Sequence, residues 1–158
     1  MVREIDVSEM DLWLKCIRKH AVDAQIQDYD NIDEIHVKKQ MRQAIISPDV
    51  KVFVVDEGNE IKGYCIAQLN EKLWNNRLYG EIIMFYIDPD VRNIWLAKDM
   101  YEAAVRWFRN NGCLYVQAST MLYDNDFKQV EDYVKRGKIF FKKQGMEEVG
   151  YHYVKELE

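Results

Sequence analysis

Few residues in this sequence favour open or repetitive structure. Its 158 residues contain only 7 Gly and 2 Pro, which argues against long linkers, collagen-like repeats and a glycine-rich β-protein. No apolar run approaches the roughly 18 to 20 residues that a membrane-spanning helix needs. Acidic side chains interrupt residues 1–6, so we expect neither a membrane segment nor a signal peptide.

Cysteine is also scarce. Cys16, Cys65 and Cys113 lie far apart, with no C-x-x-C pair and no histidine at zinc-ligand spacing. The sequence therefore predicts no metal site. Scattered cysteines with mostly apolar neighbours are typical of reduced core residues, and they favour a cytoplasmic protein.

Apolar side chains are abundant by contrast. Hydrophobic residues make up 48% of the chain and aromatic residues 13%, which is too much for a disordered protein and enough for one substantial core. We therefore expect a single domain over residues 1–158. The formal net charge of −5 gives no global reason to expect nucleic-acid binding, although a local basic patch is compatible with it.

The spacing of apolar residues predicts alternating helices and strands. Residues 78–87 form the longest apolar strand, and one or two strands over residues 146–157 end the chain. The order is strand, two helices, three strands, helix, strand, helix and final strands. It predicts a mixed α/β (α+β) fold with antiparallel central strands and one parallel crossover over residues 79–118. The clearest helix has a stripe at Ala97, Met100, Tyr101, Ala104, Val105 and Phe108.

The segment from Tyr86 to Lys98 runs from a strand through a short turn into that helix. The first turn of a helix has unpaired backbone N–H groups and a positive dipole end, which together bind phosphate. Arg92 would add a fixed charge beside them. An ordinary strand-to-helix turn has the same geometry, so the residues alone leave both interpretations open.

This segment resembles the pyrophosphate loop of the GNAT superfamily of N-acetyltransferases. The family's loop reads Arg/Gln-x-x-Gly-x-Gly/Ala, and this chain has Arg92, Trp95 and Ala97 at those positions. The order of elements fits the same fold over nearly the whole chain. The resemblance implies a GNAT-like, mostly antiparallel sheet of about six or seven strands, flanked by about four helices.

A second motif resembles the C-terminal signature of that family, roughly Asn-x-x-Ala-x-x-Phe-Tyr-x-x-x-Gly-Phe. Phe140 and Gly145 match it. Gly137 and Met146 are conservative changes, and the departures are Val134 and Phe141.

The resemblance implies acetyl-CoA as co-substrate. Backbone groups of Phe85, Tyr86 and Ile87 would pair with the pantetheine arm, as a peptide strand pairs with a sheet edge. The loop and the first helical turn would hold the pyrophosphate. The remaining cofactor-binding residues are Arg92, Asn93, Ile94, Trp95, Leu96, Ala97, Lys98 and Phe141.

Glu81 is the predicted general base, because histone-acetylating members of the superfamily place a glutamate at this register, six residues before Ile87. Simple strand alternation puts it on one face with Ile83, Phe85 and Ile87. A carboxylate among apolar side chains should have a raised pKa, which suits a base working near neutrality. The alternative is a solvent-exposed carboxylate at a strand end, beside Gly80.

Two positions depart from the catalytic pattern of the superfamily. Trp95 replaces the glycine that lets the backbone approach phosphate closely, which is tolerable when the indole points away. Phe141 replaces the tyrosine that protonates the thiolate in many members, so Tyr123, Tyr133 or water would supply that proton. The sequence thus supports two functions. One is direct acetyl transfer to an amine of a small molecule or protein, and the other is a non-catalytic GNAT-fold protein that binds a partner.

The distribution of acidic residues suggests where the acceptor amine binds. Five acidic residues between positions 23 and 34 would attract a cationic amine if they line the acceptor pocket, and the alternative is a solvated loop. We expect no nucleic-acid or membrane partner, and a homodimer stays open. Elsewhere, His20 is expected to end a helix as a favourable cation. The acidic residues are Asp23, Asp28, Asp30, Asp33 and Glu34.

Overall fold

Helices and strands follow one another in the predicted order through residues 1–24, 33–118 and 131–148, the parts of the chain that the computed structural model describes. The strands are β1 (Val2–Glu4), β2 (Val50–Asp56), β3 (Ile61–Glu71), β4 (Leu78–Ile87) and β5 (Val116–Ala118). The helices are α1 (Met10–Asp23), α2 (Glu34–Ile46), α3 (Ile94–Asn110) and α4 (Glu131–Lys143).

The described strands form one sheet in the order β1-β2-β3-β4-β5. Neighbours from β1 to β4 are antiparallel, whereas β4 and β5 are parallel, so α3 makes the predicted crossover. The mixed, mostly antiparallel fold class is confirmed. The strand count differs from the predicted one, because residues 146–148 form no strand and the predicted strand at 150–157 lies outside the described residues.

Helices cover both faces of this sheet. Burial of large apolar side chains on each face stabilises the fold by roughly 1.5–3 kcal/mol per side chain. The helices in the described segments are too short or too polar to cross a lipid bilayer. On one face α3 buries most of its predicted stripe: Ala97, Met100, Ala104 and Phe108. On the other face α1 and α2 bury Trp13, Leu14, Cys16 and Met41.

The cysteines are free thiols. Cys16 and Cys65 are buried in the two cores, as predicted, and Cys113 is half-buried. Burial raises the pKa of the Cys16 thiol to about 12. These thiols therefore act as small apolar core residues.

A β-bulge in β4 determines which of its side chains face which helices. Met84 pairs with Ile66 and Ile82 pairs with Ala67, so Ile83 is one extra residue on β4. The extra residue reverses the alternation of side chains beyond it. As a result, the side chains of residues 85 and 87 share a face with residue 82 and not with residue 81.

Candidate active site

The strands β4 and β5 are paired by backbone hydrogen bonds over a short stretch only. Their register pairs residues 80–82 with residues 116–118. Within residues 1–24, 33–118 and 131–148, no strand pairs with the same edge of β4 at residues 83–87, here termed the open edge. A strand edge presents backbone N–H and C=O groups to an extended ligand. The three residues predicted to pair with pantetheine lie on this edge.

The N-terminus of α3 follows this edge and retains backbone donors. Asn93 caps the helix, because its Oδ1 accepts a hydrogen bond from the Leu96 amide at 2.9 Å. The amides of Ile94 and Trp95 have no acceptor among the described residues. The Trp95 indole is 73% exposed, so it packs in neither core. The first turn of α3 thus offers two of the donors that a phosphate needs.

Arg92 is held by the protein itself. Its Nε donates to the carbonyl oxygen of Ile87 at 2.9 Å, and its Nη2 donates to Oδ2 of Asp23 at 2.7 Å. Arg136 on α4 approaches the same carboxylate oxygen to 3.7 Å. Asp23 therefore lies between two guanidinium groups and offsets part of the charge that was predicted to bind phosphate. No local pattern could reveal this pair, since Asp23 precedes Arg92 by 69 residues.

Glu81 belongs to a row of three polar side chains, here termed the polar ladder: Gln68, Asn70 and Glu81. Gln68 Nε2 donates to Asn70 Oδ1 at 3.2 Å, and Asn70 Nδ2 donates to Glu81 Oε2 at 3.1 Å. All three side chains are half-buried. Among the described residues, no lysine, arginine or histidine forms an ion pair with Glu81.

The predicted surroundings of Glu81 are wrong. Its register partner is Gln68, which shares a sheet face with Tyr64 and Tyr86. Phe85 lies on the other face, towards α3, because the bulge at Ile83 reverses the alternation. The side chains beside Glu81 are therefore amides and not the apolar residues that unbroken alternation predicts.

Two tyrosine rings border the polar ladder. Tyr79 pairs with Asn70 across the strands, and its ring stacks on that of Tyr115 with centroids 5.4 Å apart. The ammonium group of Lys72 lies 4.8 Å from the centroid of the Tyr115 ring. Gln117 is the β5 partner of Glu81. Sequence reasoning missed these neighbours, although the position of Tyr79 two residues before Glu81 was a local signal that both share a face.

His20 does not have the role predicted for it. Its side chain is buried, its Nδ1 lies 2.6 Å from the hydroxyl oxygen of Tyr64, and its ring stacks on Tyr86 at 4.4 Å. Burial lowers the pKa of His20 to about 4, so the imidazole is neutral near pH 7. The expected helix-end cation is therefore a neutral core side chain. Tyr86, predicted to contact the cofactor through its backbone, buries its ring in the same cluster.

Phe141 packs in an aromatic cluster beneath the open edge of β4. Its ring lies 6.0 Å from Phe85, 5.3 Å from Phe140 and 6.3 Å from Tyr101, measured between centroids. Phe141 is buried, so it fills the core and supplies no proton. Tyr101 is the one hydroxyl-bearing ring of these four, and burial raises its pKa. Tyr123 and the side chain of Tyr133 lie outside the described residues.

A shallow depression of about 470 Å³ lies at the carboxyl end of β4, between α1 and the loop to α3. Lys19 on its wall binds Oδ2 of Asp88 at 3.0 Å. Burial of Asp88 favours its neutral form, but hydrogen bonds from the Asp90 amide and from Lys19 outweigh this and lower its pKa. Five of the eight residues that line the depression carry a charge. Its lining residues are Arg18, Lys19, Val22, Asp23, Tyr86, Asp88, Pro89 and Asp90.

The predicted acidic acceptor segment is only partly described. Asp23 pairs with Arg92, Asp33 caps α2 by accepting from the His36 amide at 3.0 Å, and Glu34 pairs with Arg18. These carboxylates have structural partners, whereas Asp28 and Asp30 lie outside the described residues. Within the described segments, no three His, Cys, Asp or Glu side chains converge as metal ligands.

Comparisons with known proteins identify similar chains. A family profile described as "Acetyltransferase (GNAT) family" matches residues 15–129. A comparison with curated proteins finds no match. Among solved structures, an aminoglycoside acetyltransferase from an uncultured soil metagenomic sample superposes with a TM-score of 0.77 at 16% identity, covering 100% of this chain and 96% of that one.

Two further structures are similar over comparable lengths. A GNAT family acetyltransferase of Staphylococcus aureus has a TM-score of 0.71 at 15% identity, covering 99% of this chain and 98% of its own. The glucosamine-6-phosphate N-acetyltransferase of Arabidopsis thaliana has a TM-score of 0.69 at 19% identity, covering 100% of this chain and 98% of its own. At these identities the likeness shows a shared fold and leaves substrates open.

Proposed function

Because the chain belongs to the GNAT acetyltransferase family, we propose that it moves an acetyl group from acetyl-CoA to the amine of a small molecule or protein. Glu81 is the proposed general base, and transfer is direct, without a covalent enzyme intermediate. The cofactor lies along the open edge of β4 with its pyrophosphate at the N-terminus of α3.

The position of Glu81 carries this proposal. It is a half-buried carboxylate with no cationic partner among the described residues. A carboxylate partly removed from water attracts a cation, and a protonated amine is one. Glu81 also lies two residues before the bulge at which the open edge of β4 begins. An amine bound at Glu81 would therefore be next to a thioester bound along that edge.

The proposed reaction accounts for both protons that leave the acceptor ammonium group: one goes to Glu81 and one to the thiolate of coenzyme A. Glu81 removes a proton from the acceptor ammonium group, which leaves a neutral amine. The amine nitrogen forms a bond to the acetyl carbonyl carbon, and the bond from that carbon to the sulfur of coenzyme A breaks. The second amine proton reaches the thiolate through water, Tyr123 or Tyr133, since Phe141 cannot donate one. Glu81 then returns its proton to solvent, which completes the cycle.

The described residues fit the proposed cofactor in two respects. The backbone of residues 85–87 lies on the open edge of β4, where an extended amide-containing arm can pair with it. The amides of Ile94 and Trp95 can donate to a phosphate, and Lys98, half-exposed and 3.6 Å from a carboxylate oxygen of Glu102, adds a partly balanced cation. Acetyl-CoA supplies the activated acyl group. The fit is less good at Arg92, because its guanidinium group already donates a hydrogen bond to Asp23.

The acceptor is proposed to be a cationic amine. Two of the similar structures are named for amine-bearing sugars, an aminoglycoside and glucosamine-6-phosphate. This supports including an amino sugar in a test panel beside a polyamine and a lysine-containing peptide. Asp28 and Asp30 remain candidates for drawing such an amine to the site.

A non-catalytic binding protein is the second candidate function. Three observations favour it: Trp95 stands where the family has glycine, Phe141 is buried where many members have a catalytic tyrosine, and Arg92 is paired with a carboxylate. This alternative requires no acyl transfer, and it is separated from the first by the experiments that follow.

Acetyl-CoA should raise the melting temperature of the chain, because a ligand that binds only the folded state stabilises it. At 100 times its dissociation constant, the expected rise is about 5–10 °C for a domain of this size. Thermal unfolding with and without acetyl-CoA measures this, and calorimetry gives the affinity. The absence of any shift at millimolar acetyl-CoA would reject the proposal and leave the non-catalytic alternative.

Replacing the base should slow transfer without weakening cofactor binding. Glu81→Gln is expected to lower kcat by roughly 100-fold or more, with the acetyl-CoA affinity nearly unchanged. Release of free thiol with glucosamine, spermidine or a lysine peptide measures the rate. Glu71→Gln is the matched control, since Glu71 is exposed at the carboxyl end of β3 and makes no hydrogen bond to Glu81. A normal rate for Glu81→Gln would remove Glu81 from the mechanism.

A further inference from the structure

We propose that Asn70 is a positioning residue for acetyl transfer: it holds Oε2 of Glu81 and so directs Oε1 to the acceptor amine. This inference rests on the proposed function with Glu81 as base. It adds a residue that lies in neither motif of the family and that no pattern in the sequence singles out.

The strand register places Asn70 where it can act on Glu81. Gln68 and Asn70 are two residues apart on β3, so their side chains share a face, and Gln68 is the direct partner of Glu81. Asn70 therefore reaches Glu81 diagonally, with its Nδ2 3.1 Å from Oε2. Both ends of this hydrogen bond are anchored on paired strands, so the carboxylate loses side-chain freedom before a substrate arrives.

The Glu81 carboxylate fixes the direction in which the Asn70 amide points, and Gln68 completes the arrangement. An asparagine amide has a donor end and an acceptor end of nearly equal shape. An ionised carboxylate can only accept, so the donor end, Nδ2, faces Glu81, and the acceptor end, Oδ1, accepts from Gln68 Nε2 at 3.2 Å. The polar ladder thus supplies a donor, and not a second acceptor, to the proposed base.

The remaining oxygen of Glu81 is the one left for chemistry. Oε1 accepts no hydrogen bond from the described residues, whereas Oε2 accepts from Asn70. When Glu81 takes the ammonium proton, the N–H bond of the acceptor breaks and an O–H bond forms at Oε1. Oε2 becomes the carbonyl oxygen and still accepts from Asn70, so the ladder is compatible with both protonation states. A proton on Oε2 would instead face the Nδ2 donor, which disfavours it.

Two substitutions of Asn70 test this role. Asn70→Ala removes the donor, and Asn70→Asp replaces it with a carboxylate of the same shape that cannot donate. The assay uses acetyl-CoA and the amine of the panel that the unaltered chain acetylates fastest. In both variants kcat should be roughly 10- to 100-fold lower, because the base is no longer held in place. The KM for acetyl-CoA should stay unchanged. Asn76→Asp is the matched control for charge, since Asn76 is exposed in the turn before β4, and it should leave kcat unchanged.

A double variant separates positioning from a structural role. If Asn70 acts through Glu81, then Asn70→Ala combined with Glu81→Gln should be no slower than Glu81→Gln alone. Three results would each overturn the inference. The first is a double variant whose loss in kcat is the product of the two single losses. The others are a normal kcat for both Asn70 variants and an effect confined to the KM for acetyl-CoA. A slow Glu81→Gln with normal Asn70 variants rejects only the positioning role. A normal Glu81→Gln rejects the base and the positioning role together.

If no amine of the panel is acetylated, crystal structures of the unaltered chain and of Asn70→Ala test whether Asn70 holds Glu81 in place. The unaltered chain should hold the Glu81 carboxylate in one rotamer, with Asn70 at hydrogen-bond distance, and Asn70→Ala should show two or more rotamers. A single unchanged rotamer in Asn70→Ala would overturn the inference.

Discussion

Gly80 of β4 lies directly against the Phe108 side chain of α3. A Cβ atom added to it would lie 2.4 Å from Cγ of Phe108, a distance that real Cβ contacts do not reach. The Phe108 ring is fully buried and cannot withdraw without moving its neighbours. At the scale of single residues, this contact holds β4 against α3 immediately before Glu81.

Gly80→Ala should destabilise the fold by about 1–3 kcal/mol, because one extra methyl group overpacks the contact between the sheet and α3. Urea unfolding measures the change. Combining it with Phe108→Leu, which makes room at the contact, should cost less than the sum of the two single changes. Strict additivity, or no loss for Gly80→Ala, would show that the strand shifts freely at this point.

Three elements meet at Asp23, the last residue of α1. Its carboxylate binds Arg92 from the loop before α3 at 2.7 Å and lies 3.7 Å from Arg136 on α4. Opposite charges joined across elements hold those elements together, and they also reduce the positive charge available to a bound phosphate. At the scale of elements, Asp23 therefore links the start of the partly described acidic segment to the predicted phosphate loop.

Asp23→Asn should strengthen acetyl-CoA binding by about two- to fivefold, since a partly exposed ion pair contributes up to about 1 kcal/mol and its loss frees Arg92 for phosphate. Calorimetry at two salt concentrations measures the affinity, and the gain should shrink at higher salt. Asp90→Asn is the matched control, because Asp90 is an exposed carboxylate in the same loop with no arginine partner among the described residues. Equal gains in both variants would indicate a general charge effect. Weaker binding in Asp23→Asn would mean that Asp23 orients Arg92 for the cofactor.

The buried cluster of His20, Tyr64 and Tyr86 joins α1, β3 and β4, so its protonation affects the stability of the whole molecule. The pKa of His20 is lowered from 6.5 to about 4, mainly because burial penalises the charged imidazole. As the pH falls, the unfolded chain takes up this proton before the folded one does. The contribution of His20 is therefore fully present above about pH 6.5 and is lost as the pH falls towards 4.

Unfolding free energy should accordingly drop by up to about 3 kcal/mol between pH 6.5 and pH 4 through His20 alone. Carboxylates with lowered pKa values, such as Glu9 and Asp88, add their losses at the acidic end of this range and below it. Urea unfolding at a series of pH values measures the slope. His20→Asn should flatten it above pH 5, and His36→Asn, at an exposed position, should not. If the unfolding free energy of His20→Asn has the same pH dependence as that of the unaltered chain, another group causes that dependence.

Local patterns were sufficient for much of the fold. The bounds predicted for β4, residues 78–87, are those of the structure, and the stripe from Ala97 to Phe108 is the buried face of α3. The family also followed from the sequence, since two short motifs and the order of elements indicate it and the family profile confirms it. These features depend on residue types at fixed spacing along one helix or strand, which a single sequence contains in full.

The tertiary structure decided what surrounds each predicted site residue. Ile82, Ile83 and Met84 are all apolar, so no residue type marked the bulge that reverses the face of Glu81, and only pairing with β3 located it. His20 became a neutral core residue because Tyr64 and Tyr86 enclose it, 44 and 66 positions along the chain. Asn70 and Asp23 acquired their partners in the same way, across 11 and 69 positions. Periodicity determines elements because it is local, whereas charge state, exposure and hydrogen-bond partners depend on how those elements pack against one another.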